Sequence, residues 1–107
     1  MKIFVSQPMS GRPREEVLNE REKYVNAFLS RYGFSSSSTF ATIIENYDKP
    51  NAPVNAKQPW FLGDSLKLMA EADIVLFVPT WKKAFGCRVE MECCKKYGIE
   101  YVKMRKI

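Results

Sequence analysis

The chain has 107 residues, 46% of them apolar and 27% charged, with a net charge of +5. This length and balance give one folded domain with a core of its own and exclude a chain disordered throughout. No histidine is present, so Ser-His-Asp and Cys-His catalysis are excluded, and acid–base or nucleophilic work falls to carboxylates, tyrosines, lysines or thiols.

Lys2 to Ser6 is a β-branched and aromatic run, expected as a buried strand. Its five-residue apolar start, ending at Ser6, is too short for a signal peptide or a membrane span, so a cytoplasmic location and no membrane partner are expected. Gln7 to Arg12 is turn-rich, and Pro13 with Glu15 and Glu16 marks a helix start. Val17, Leu18, Tyr24, Val25, Phe28, Leu29 and Tyr32 recur at helical spacing, and Gly33 is the expected stop. Thr39 to Ile44 predicts a second strand. Glu45 to Lys57, with Pro50, Pro53 and three asparagines, predicts a long loop.

Pro59 opens a second helix expected to reach about Ala72. Asp73 to Val78 is a continuous apolar run, the mark of a strand buried on both faces. Pro79 to Gly86 predicts a loop, Cys87 to Tyr97 a third helix closed by Gly98, and Ile99 to Met104 a last strand. Cys87, Cys93 and Cys94 crowd into eight residues, which suits neither a disulfide framework nor zinc; they are expected as reduced thiols, with no metal and no cofactor. Lys103, Arg105 and Lys106 are expected as a solvated tail rather than a nucleic-acid surface, although the positive balance suits a phosphate-bearing small molecule.

Alternation of strand and helix predicts an α/β domain over residues 1–107. The expected form is a small flavodoxin-like or Rossmann-like three-layer sandwich, with a four-strand parallel sheet of order 2-1-3-4. In such a sheet ligands bind beyond the carboxyl ends of the strands, where the winding reverses. That puts the Ser6–Arg12 and Pro79–Gly86 connections on either side of one crevice.

On a wheel of the third helix, Glu92 falls among Arg88, Lys95 and Lys96, as a surface residue with ion-pair partners. Glu90 falls in the apolar arc beside Cys94 and Tyr97, and is expected to face the sheet or the crevice in its ionised form, favoured by the helix N-terminus. A buried carboxylate needs a partner or a task, which makes Glu90 the first candidate for chemistry. Ser6, Gln7, Ser10, Gly11 and Arg12 form a candidate cradle for a sugar or phosphate, leading into a helix N-terminus. On the second helix Ser65 falls on the apolar face and Asp64 at its margin, while Trp81 offers a face for a base.

Three runs carry a family resemblance: Lys2 to Gly11, Leu62 to Asp73, and Trp81 to Glu92. With them the chain resembles the nucleoside 2-deoxyribosyltransferase-like superfamily, and within it a branch of small phage and bacterial proteins designated DUF4406. The resemblance implies a glutamate nucleophile four residues after a glycine, which Gly86 and Glu90 match. It implies hydrolysis or transfer at the N-glycosidic bond of a nucleoside or nucleoside 5′-monophosphate, through a glycosyl-enzyme intermediate. It further implies a homo-oligomer, because relatives complete their sites across subunits. The pattern departs at three places: Ser65 stands where the enzymes carry an aspartate, with Asp64 one step earlier; Ala84 replaces a polar residue; and Gln7 replaces a glycine. The expected catalytic pair is therefore Glu90 and Asp64. A non-catalytic nucleotide-binding module of the same fold is the alternative.

Overall fold

The computed structural model describes residues 1–31 and 41–107. The expectations for Tyr32 and Gly33 at the end of the first helix, and for Thr39 and Phe40 in the second strand, lie outside the described residues. In chain order the elements are β1 (Lys2–Ser6), α1 (Arg14–Arg31), β2 (Thr42–Ile43), α2 (Gln58–Met69), β3 (Ile74–Phe77), α3 (Phe85–Tyr97) and β4 (Tyr101–Lys103). A single 3-10 turn, Trp81–Lys83, precedes α3. All four strands pair in parallel in the order β2-β1-β3-β4, as the alternation predicts.

The pleat divides the core in two. Successive strand side chains point to opposite faces. Ile3 and Val5 of β1, with Ile74 and Leu76 of β3, pack on Tyr24, Val25, Phe28 and Leu29 of α1. Phe4, Val75 and Phe77 point the other way, onto Met69 of α2 and onto Met91 and Cys94 of α3. The sheet is thus sandwiched between α1 and the α2–α3 pair. β1 and β3 are buried along almost their whole length, which is why they read as unbroken apolar runs.

Element ends follow local chemistry. Pro13 accepts from the Val17 N–H just before α1, and Glu15 and Glu16 sit in the first turn, where the helix dipole favours acids. Gly98 closes α3 in the left-handed region, at φ 67, with its own N–H and that of Ile99 bonded to the Cys94 carbonyl. α2 stops at Met69, three residues before the expected Ala72. Glu71 and Ala72 bond three residues back instead of four, which tightens the last turn into the β3 approach. Among the described residues no helix is long and apolar enough to cross a membrane.

Phe77 is fully buried, with Trp81 and Tyr101 edge-on to its ring at 5.5 and 5.8 Å. Phe77→Ala is expected to lower stability by about 3–5 kcal/mol, read as a fall in the urea midpoint with a near-constant slope.

Candidate functional site

The same pleat that builds the core builds the site. Ser6 is the last residue of β1 and shares the α3-facing side with Phe4. There its hydroxyl donates to Oε1 of Glu90 at 2.6 Å. Gln7, one residue on, points to the opposite face. Its Nε2 donates to the Val17 carbonyl and to Glu20, and its Oε1 accepts from Nε of Arg21 at 2.8 Å. Both polar ends of Gln7 are therefore committed to α1. The structure does not bring Gln7 to Glu90; it makes Gln7 the tie between β1 and a buried arginine that the apolar spacing of α1 did not reveal.

Glu90 is 5% exposed. Burial pushes its pKa up to about 7, and the Ser6 hydrogen bond and the charge of Lys49 pull it partly back. The helix N-terminus does not hold it in the usual carboxylate range as expected. α3 starts at Phe85, two residues earlier than the sequence suggests, so Glu90 lies in the second turn, past the reach of the dipole. Oε1 takes the Ser6 hydrogen bond, and among the described residues no fully buried polar side-chain atom lacks a partner.

The long loop supplies what sequence reasoning left out. Lys49 reaches under α2 and donates to Asp64 Oδ2 and to Asn46 Oδ1, both at 2.6 Å. The buried Asn46 also accepts from the Ser65 hydroxyl at 3.0 Å. Arg14 holds the outside of the loop by a two-pronged pair with Asp48, at 2.7 and 3.3 Å, and by lying over the Tyr47 ring. Asp64 and Ser65 thus enter the site together, joined through Asn46 and Lys49. The cue was present in the sequence: Lys49 and several asparagines in a loop that must pass over the carboxyl ends of the strands.

The remaining candidates divide. Arg12 lies on the β1–α1 connection, but its guanidinium bonds Glu16, Glu20 and the Pro8 carbonyl. Ser10 and Gly11 are exposed at the lip of that connection, Gly11 at φ 74, and no hydrogen bond joins them to Glu90. Trp81 packs edge-on to Phe77. Gly86 lies against Leu62, with room for an added methyl at 3.7 Å. Glu92 is exposed as expected, yet none of the ion pairs among the described residues includes it, because Arg88 donates to the Lys82 carbonyl instead. Tyr97 is 74% exposed rather than beside Glu90. A wheel ignores helical rise, and seven residues carry Tyr97 about 10 Å along the axis from Glu90.

Cys87 and Cys94 are no rivals to Glu90 as nucleophile. Burial raises Cys87 and Cys94 to about 11, and the Glu90 charge adds to both, although Ser6 hydrogen bonding pulls Cys87 partly back. Among the described residues no cluster of three or more His, Cys, Asp or Glu is placed to hold a metal. Two clefts, of about 310 and 480 Å³, lie between α1 and the β2 edge and along the outer face of α3. Neither contains Glu90 or Ser6. We place the site at Glu90 because a buried, hydrogen-bonded carboxylate at the switch point carries chemistry that shape alone does not. No protein-family model, curated protein or solved structure matches the chain.

The raised pKa of Glu90 makes stability depend on pH. The folded protein retains a proton that the unfolded chain loses near the ordinary pKa of 4.5, so this contribution is full below about 4.5 and is lost as pH rises through about 7. Wild type is expected to lose roughly 3 kcal/mol relative to Glu90→Gln between pH 4.5 and 8. Paired urea unfolding curves at both pH values measure the difference; equal losses in the two proteins would contradict it.

Proposed function

We propose that the protein breaks the N-glycosidic bond of a nucleoside or nucleoside 5′-monophosphate, with Glu90 as nucleophile. The observation that carries this reading is the Glu90 carboxylate itself: buried at the β1/β3 switch point and held through one oxygen by Ser6. A pKa near 7 leaves a large fraction ionised at neutral pH, and burial keeps that anion poorly solvated, which favours attack.

The chemistry balances on this one group. A lone pair of Glu90 Oε2 forms a bond to the anomeric carbon. The carbon–nitrogen bond breaks, its electron pair goes to the base, and the base takes a proton from solvent. Water or a second base then attacks the anomeric carbon, releases Glu90, and gives the free sugar or a new nucleoside with retained configuration. Ser6 holds the carboxylate during attack. Asp64, paired with the Lys49 ammonium, is an acceptor for a sugar hydroxyl rather than a general acid. Ser10 and Gly11 line the approach, and Trp81 and Gly86 support the wall. The protein acts in this reading in the cytoplasm and as a homo-oligomer.

One observation favours the second reading, a nucleotide-binding module without turnover. Asp64, the expected partner of Glu90, is already tied to Lys49, and Ser65 to Asn46.

A base-release assay over ribo- and deoxyribonucleosides and their 5′-monophosphates separates the two. Release by wild type, reduced at least about a thousandfold in Glu90→Gln, is the expected outcome. No release, with a nucleoside or nucleotide still raising Tm, would favour the binding module. Ser6→Ala is expected to move the acid limb of the pH–rate profile upward, because the Ser6 hydrogen bond lowers the Glu90 pKa.

A further inference from the structure

We infer that the cleft between α1 and the β2 edge is a binding site for a small zwitterion with an apolar body, the chemistry of an aliphatic α-amino acid, and that Arg21 receives its carboxylate. The cleft contains neither Glu90 nor Ser6, and the inference does not depend on the N-glycosidic reading.

Arg21 is a cation set into an apolar stripe. Leu18, Val25 and Leu29 stand three, four and eight residues from it, at helical spacing on α1, and all four line the cleft. Arg21 is only 4% exposed. Its Nε donates to Gln7 Oε1 at 2.8 Å, and its Nη2 to Met9 Sδ at 3.8 Å, a weak acceptor. No ion pair among the described residues includes it. Residues 32–40 contain no Asp or Glu that could supply one. Burial lowers its pKa, and Glu45 opposes this through its charge rather than through a hydrogen bond. Oε1 of Glu45 accepts instead from the backbone N–H groups of Tyr47 and Asp48. A guanidinium this deep without a carboxylate is costly, and a ligand carboxylate on its planar fork offsets that cost.

The other walls describe the rest of the ligand. The volume, about 310 Å³, is at the small end of small-molecule sites. Val25, Leu29 and Ile43 give an apolar wall for an aliphatic stem, and Asn26 adds a half-buried amide. Glu22 and Glu45 also line the cleft, and both are exposed. One guanidinium and two carboxylates make the lining net negative. A dianion such as phosphate is repelled by it, whereas a carboxylate joined to an ammonium finds an opposite charge for each end.

Titration calorimetry on the wild-type chain tests this with free leucine, leucinamide, isocaproate and inorganic phosphate. Leucine is expected to bind tighter than about 1 mM. Leucinamide lacks the carboxylate and is expected to bind at least about tenfold more weakly. Isocaproate lacks the ammonium and is expected to lose about threefold, a gap that should close as salt rises to about 0.5 M because the two glutamates are exposed. Arg21→Gln is expected to bind leucine and leucinamide alike. Should that variant not fold, the acid–amide comparison on wild type decides alone, and Glu22→Gln, on the exposed side, should shrink the leucine–isocaproate gap. Equal wild-type binding of leucine and leucinamide overturns the role of Arg21. Phosphate competing with leucine overturns the zwitterion class. No binding of leucine at about 10 mM overturns the site itself. Base release at Glu90 is read separately, so none of these outcomes is confused with failure of the N-glycosidic reading.

Discussion

The hydrogen bond from Ser6 to Glu90 joins residues 84 positions apart, and the candidate site depends on it. It spans the point where the parallel sheet changes winding direction, linking the end of β1 to the helix that follows β3. Burial alone would drive the Glu90 carboxylate toward its neutral form. The Ser6 hydroxyl and the Lys49 charge oppose that, and the balance leaves a group that titrates near neutrality. A donor from the sheet also fixes which oxygen is occupied.

Around this bond the fold arranges polar groups in matched sets. On the α1 face, Gln7 takes Arg21 and the Val17 carbonyl, so the buried guanidinium has an acceptor where a cation alone would be costly. Burial still lowers the Arg21 pKa, with Glu45 opposing it. On the crevice side, Asn46 collects Lys49 and Ser65, and Asp64 neutralises the ammonium. The outer pair of Arg14 with Asp48 is exposed and of small worth by itself, but it anchors the loop that delivers Lys49. The loop is held from both sides, from α1 and from α2.

Much of this was legible residue by residue. β1 and β3 show as apolar runs because a parallel sheet covered on both faces leaves no polar side. Gly98 shows as a stop because its left-handed φ is what an α-helix needs to end. Glu90 stands out because a carboxylate in an apolar arc demands a reason. The misreadings are equally specific. A helical wheel sets Tyr97 beside Glu90 because the projection discards axial distance. Gln7 groups with Ser6 in the sequence because neighbours in a loop look alike, whereas neighbours at a strand end point to opposite faces. Arg12 looked free for a ligand because its two glutamates lie one and two turns into the following helix.

What the sequence by itself determined is local and periodic: where strands and helices alternate, where helices begin and end, and which helical face carries the buried glutamate. These follow from hydrophobic spacing and backbone preferences acting over a few residues. What only the tertiary structure decided is pairing at a distance: Ser6 with Glu90, Lys49 with Asp64, Asn46 with Ser65. Those partners are chosen by strand order, by the parity of the pleat and by the path of one long loop. No local preference encodes such choices, because the residues meet only after the sheet has formed.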